Sequence, residues 1–135
     1  MVKIISFHPQ QQGLHNITAE INRVVIASGL SSGICHLMIR HTSASLTISE
    51  NADPTARADL ERFLARLVPE NDPLYRHTLE GSDDMPAHIK SVLTATTLAI
   101  PVLNGTLALG TWQGIYLWEH RHHPSTREVV IHLGE

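Results

Sequence analysis

The 135-residue chain predicts one α+β domain built on antiparallel sheets. Hydrophobic residues make up 42% and charged residues 17%, enough apolar side chains for a single core and too little charge for disorder. Short alternating or β-branched runs follow one another across turn-length gaps, an order that suits hairpins rather than parallel crossovers. Helical spacing over residues 18–30, after Asp53 and again from Pro86 interrupts the strands without turning them into a βαβ series.

Val2–Phe7 opens as a strand. Over residues 18–30 the spacing of Ile21, Val24, Val25 and Leu30 favours a helix, against the β-branched run Val24-Val25-Ile26. Thr18 is its expected N-cap and Gly29 lies near its stop. Residues 33–40 form a strand, and Ala44–Glu50 alternates with Leu46 and Ile48 on one face. Asp53-Pro54 is a strong helix start, because a carboxylate accepts free amide protons and proline tolerates the first helical position. Leu60, Phe63, Leu64, Leu67 and Val68 follow at helical spacing until Pro69. A second helix starts at Pro86, with His88, Val92 and Ala95 on one side and Ile89 and Leu93 on another. Residues 98–102, 107–112, 115–119 and 128–133 read as strands.

Lys+Arg 10 against Asp+Glu 13 gives a net charge of −3, which lacks the basic stripe that nucleic acid requires. Ten histidines are enough to reverse that sign near pH ~6, so pH-dependent behaviour is expected. Cys35 stands alone and cannot form an internal disulfide, which points to a reducing compartment, most simply the cytoplasm. It reads as a buried small apolar residue rather than a catalytic thiol. The N-terminal residues lack the apolar core of a signal peptide. Residues 91–118 contain no ionisable Asp, Glu, Lys, Arg or His, but Pro101, Asn104 and several glycines break the run. Buried strands and a turn explain it better than a membrane span, and charge-free sheet surface also suits a sister subunit.

Three polar blocks carry the candidate chemistry. His41-Thr42-Ser43-Ala44-Ser45 joins two apolar strands, with Glu50-Asn51-Ala52-Asp53 after the second. Such a turn offers amides and hydroxyls to an anion, or is plain turn chemistry; Asp53 has a ready structural job as a helix cap, whereas Glu50 and Asn51 have none. His77 and His88 flank Asp83-Asp84. Imidazole with carboxylate is the ligand set of Zn, Mn or Fe, and carboxylate also suits Mg, yet no HExxH or paired Cys-x-x-Cys motif is present. Asp83 and Asp84 would equally serve the dipole of the following helix. Gln113 and Glu119 belong to the third block, where His120, His122 and His123 read as a solvated loop beside Pro124 rather than a metal tract.

Taken in order, these blocks resemble the YjbQ family, also called the secondary thiamine-phosphate synthase family. The resemblance rests on His41 to Ile48 with Glu50-Asn51-Ala52-Asp53-Pro54, Leu67-Val68-Pro69-Glu70, Tyr75-Arg76-His77 and the run from Gly81 to Ser91. It continues in Ile100 to Gly105, in the specific block Leu109-Gly110-Thr111-Trp112-Gln113-Gly114-Ile115, and in Glu119. Where family members often carry a Gly-Pro-Ser type turn, this chain has Ala95-Thr96-Thr97, which changes the turn chemistry.

The resemblance implies an antiparallel β-sandwich-like α+β fold with two to three helices, assembling as a homotrimer with polar sites near subunit boundaries. It implies a functional role for His41, His77, His88, Asp84 and Glu119, with Glu50, Asn51, Asp53, Gln113 and Arg127 toward substrate. The implied reaction joins a pyrimidine-methyl pyrophosphate to a thiazole phosphate and releases pyrophosphate. Such a step needs charge neutralised on the leaving group. The expectation is therefore that His41, His77 and His88 converge, as candidate ligands of Mg, Zn or Mn or as acid–base groups. Asp84 or Glu119 would orient an imidazole or touch a metal, and Arg127 would hold a phosphate oxygen. The alternatives are a metal-dependent hydrolase using the same residues and a trimeric small-molecule or metal-binding protein without catalysis.

Overall fold

The computed structural model describes every residue from Met1 to Glu135. The elements run β1 (Val2–Phe7), β2 (Gly13–Asn16), α1 (Thr18–Ser28), β3 (Gly33–Ile39), β4 (Ala44–Glu50), α2 (Pro54–Leu67), α3 (Asp84–Leu93), β5 (Thr97–Leu103), β6 (Thr106–Leu107), β7 (Gln113–Glu119) and β8 (Arg127–Gly134). One sheet orders its strands β1-β8-β3-β5-β6 and the other β2-β7-β4. Every strand pair is antiparallel, as the hairpin-like order predicts.

The alternation of β3 and β8 places Cys35, Leu37, Ile39, Val129, Ile131 and Leu133 on the inner face of the larger sheet. There they meet Leu46, Ile115 and Leu117 of the smaller sheet and Ile21 and Val25 of α1. The other face of the smaller sheet packs Tyr116 and Trp118 against Leu64 of α2 and Val68, the residue that caps its C-terminal end. β7 is thus buried on both faces from Gly114 onward, which accounts for its lack of charge until Glu119. Cys35 is fully buried, and burial pushes its thiol up to about 11, so it packs as an inert apolar residue.

Several boundaries differ from expectation. Thr18 is the first helical residue rather than the cap: Ile17 holds the cap position, and the Thr18 hydroxyl donates to Asn16 Oδ1. Gly29 does end α1 in the left-handed conformation, with φ 74°. The strand expected over 107–112 shrinks to β6, because Gly110 and Gln113 close a turn in which Gly110 N–H donates to Gln113 Oε1. β2 gave no periodic signal; its four residues are held by pairing with β7. α2 begins as expected, with Asp53 accepting from Thr55 N–H at 2.9 Å. Its helical spacing is real, yet Phe63 and Leu67 remain more than half exposed.

Candidate functional site

His77 lies on the irregular segment between α2 and α3, while Asp84 and His88 sit one turn apart on the first half of α3. That spacing turns both side chains to one helix face. His77 Nε2 is 2.7 Å and His88 Nε2 3.2 Å from the same oxygen, Asp84 Oδ2. These ligand-capable atoms all lie within 4.8 Å of one another. The side chains of His77 and His88 are partly exposed at 49% and 32%, whereas that of Asp84 is buried at 4%, so the cluster opens to solvent on its imidazole side.

The groups around the cluster set the proton positions. His88 Nδ1 lies 3.1 Å from Thr42 O, and a carbonyl only accepts, so Nδ1 carries the ring proton. In the neutral ring Nε2 is then a lone pair facing a carboxylate oxygen, and only a second proton or a cation makes that contact favourable. Burial raises the Asp84 carboxyl, but bonding with His77 and Glu80 and the charges of His88 and Arg121 outweigh it and hold it below the ordinary range. The carboxylate is therefore ionised. Arg121 fixes it from behind: Nη1 donates to Asp84 Oδ1, Nε to Asp83 Oδ2 at 3.1 Å and Nη2 to Glu80 O at 2.8 Å. Glu80 itself stands 3.3 Å from His77 Nε2.

His41 does not join this cluster. Its Nε2 accepts from Glu128 N–H at 2.8 Å, tying the 41–43 turn to β8. Burial and the neighbouring Arg127 charge lower its pKa. It does share with His88 the lining of a cavity of about 320 Å³, completed by Thr42, Ser91, Val92, Thr94 and Thr96. Glu119 and Arg127 are also drawn away from the cluster. Arg127, only 3% exposed, donates through Nε and Nη2 to the Glu119 carboxylate, itself fully buried. The expected phosphate-holding arginine is thus a forked internal ion pair, and Asp84 rather than Glu119 orients the imidazoles.

Glu50, Asn51, Asp53 and Gln113 occupy the opposite end of β4 and β7, about 20 Å along the strands from Ala44 and Glu119. Glu50 Oε2 accepts from Ala52 and Asp53 N–H, Asn51 Nδ2 donates to Gln113 O, and Asp53 caps α2. Within one chain these side chains fold a turn and do not meet His77 or His88.

The third block needs a correction. His120 is not a solvated loop residue: it is 1% exposed, 2.9 Å from Ser45 Oγ, and burial drives its pKa down to about 3, helped by the Lys90 and Arg127 charges. His122 bonds Glu70 Oε2 at 2.8 Å, and only His123 is a plain surface residue. Sequence reasoning passed over Arg121 and Glu80. Their one available signal was position, Arg121 directly after the Glu119-His120 pair and Glu80 three residues past His77.

The fold and site define an antiparallel α+β protein bearing an open two-histidine, one-carboxylate cluster. The chain belongs to the UPF0047 protein YjbQ-like family, whose model matches residues 3–135. Among its relatives is UPF0047 protein sll1880 of Synechocystis, 53% identical across 98% of this chain and 90% of that protein. Another is UPF0047 protein YjbQ of Escherichia coli O157:H7, 46% identical across 97% and 95%. The crystal structure of the conserved hypothetical protein TT1486 from Thermus thermophilus superposes with a TM-score of 0.87 at 37% identity, covering 98% and 99% of the two chains.

Proposed function

We propose that this protein is a metal-dependent enzyme acting on a phosphorylated small molecule, with His77 Nε2, Asp84 Oδ2 and His88 Nε2 as the ligands. The observation that carries the reading is the convergence of His77 Nε2, Asp84 Oδ2 and His88 Nε2 within 4.8 Å of one another, with Thr42 O beside His88 Nδ1. A histidine ligand backed by a carbonyl is the usual arrangement at such centres. His77 would offer its Nε2 lone pair to the cation in the tautomer that carries the proton on Nδ1. Zn or Mn suits two imidazoles and a carboxylate better than Mg. The bound cation supplies neutralisation of phosphate charge and polarisation of the scissile bond. Arg121 keeps Asp84 aimed.

By family resemblance the reaction is transfer: the thiazole nitrogen forms a C–N bond to the pyrimidine methylene while the C–O bond to pyrophosphate breaks. One observation favours hydrolysis at the same site instead. Arg127, the group expected to hold a second phosphate, is engaged by Glu119, leaving one evident anion locus per chain. Metal analysis of the purified protein beside a His77→Ala/His88→Ala variant tests the centre, with near-stoichiometric metal expected in the first and none in the second. Equal metal in both proteins refutes the assignment. With metal present, thiamine phosphate formation supports transfer, pyrophosphate or phosphate release without it supports hydrolysis, and neither leaves a binding protein.

We also infer a homotrimer, as the resemblance implies. Supporting it are two unlike apolar surfaces. The outer face of the large sheet exposes Val2, Ile4, Ile34, Met38 and Leu103, while Leu74, Leu79 and Val92 stand 83% or more exposed around the cluster. Two different patches that meet head to tail close into a ring.

A further inference from the structure

We infer that Glu80 is a fourth, exchangeable ligand of the cluster, whose carboxylate closes the centre at rest and gives way to a phosphate oxygen of the substrate. The inference rests on the metal reading and adds to it a gate that the substrate's own phosphate opens.

Glu80 meets the cluster with its side chain and is fixed beside it by its backbone. Oε2 stands 3.3 Å from His77 Nε2, and the carboxyl group also reaches that of Asp84. Arg121 Nη2 donates to Glu80 O at 2.8 Å, while Nη1 of the same guanidinium holds Asp84. Gly81, at φ 111°, turns the chain between these two residues. A Cβ at that position would lie 3.1 Å from Asp83 Oδ1 and 3.6 Å from Arg121 Nη2, so only glycine lets the arginine close over the turn. One side chain thereby sets the spacing of both carboxylates.

Two ionised carboxylates held this close repel each other, and a proton or a cation between them removes the repulsion. A surface Glu–His pair on its own is worth little and has no need of such anchoring. With a divalent cation in place, two imidazoles and two carboxylates form a four-ligand centre without net charge, the ligand number that zinc takes.

Of the four groups, Glu80 is the one free to leave. Its side chain is 65% exposed and stands on the solvent side of His77, outside the tight group of three. Asp84 is buried and gripped by Arg121, and His88 is backed by Thr42 O. Exchange of Glu80 for a phosphate replaces one anionic oxygen with another: the carboxylate oxygen lets go, the phosphate oxygen takes its position, and the cation stays neutralised. The long, exposed side chain then swings into solvent while its backbone remains tied to Arg121.

The test uses cobalt(II) as the probe, because its visible spectrum follows ligand number and geometry. Parent, Glu80→Gln and His77→Ala/His88→Ala proteins are titrated with cobalt(II), and the loaded proteins are then titrated with inorganic phosphate. Glu80→Gln should bind cobalt(II) about tenfold or more weakly than the parent. Once loaded, it should bind phosphate about threefold or more tightly, because no protein ligand has to leave. The variant keeps the carbonyl that Arg121 holds, so the turn itself is preserved. Equal cobalt(II) affinity in the parent and Glu80→Gln overturns the ligand role, and phosphate binding that is equal or weaker in Glu80→Gln overturns the exchange. Cobalt(II) bound as well by His77→Ala/His88→Ala as by the parent, or by neither, overturns the metal reading itself, which keeps the two failures apart.

Discussion

At the scale of single residues, His120 shows how burial rewrites a side chain's chemistry. Its folded pKa of about 3 lies below the roughly 6.5 of an unfolded histidine. Between those values the unfolded chain binds the extra proton. The stability that neutral His120 contributes is therefore complete above pH ~6.5 and is lost as pH falls toward ~3, by at most about 1.4 kcal/mol per pH unit. A His120→Gln variant should show a shallower loss of urea midpoint between pH 7 and pH 5 than the parent, and parallel acid limbs would refute this. None of this was legible in the sequence, where His120 is one of several histidines beside Pro124. His77, Asp84 and His88 were named through the family motifs and not through spacing, because the helix start expected at Pro86 left Asp84 outside α3, whereas the fold puts it on the helix one turn before His88. Arg121 was not, since its role depends on what the fold leaves opposite it.

Elements were read best where local chemistry decides them. Asp53-Pro54 starts α2 because the cap bond and the proline both act within a turn. Asp53→Ala should cost about 1 kcal/mol, read from chemical denaturation, and no loss would show that Glu50 alone organises the turn. Elements were read worst where a neighbour decides them. β2 exists through β7, and residues beyond Leu107 fail to continue as a strand because the Gln113 side chain captures Gly110. α2 lies between these cases. Its period was plain, but only Leu64 within it is buried, since the smaller sheet beneath it is three strands wide.

For the whole molecule, the open apolar faces make a specific demand. No helix is long and apolar enough to cross a membrane. Exposed side chains such as Leu79 and Met38 call for an occupant. Light scattering at micromolar concentration should give three times the chain mass. Met38→Glu on the sheet face should dissociate the assembly without unfolding the chain, and a monomeric parent would refute the trimer. Assembly would also bear on Glu50, Asn51, Asp53 and Gln113, which one chain holds far from its own histidines.

The sequence by itself determined the α+β class, the antiparallel pairing, the main helix start and the family, because periodicity, capping and family motifs are properties of short segments. Tertiary structure alone decided that His41 leaves the cluster for β8, that Arg127 and Glu119 neutralise each other, and that Arg121 aims Asp84. Those outcomes depend on which groups long-range packing places within hydrogen-bond reach in a desolvated interior, where an unpaired charge takes whatever partner the fold provides.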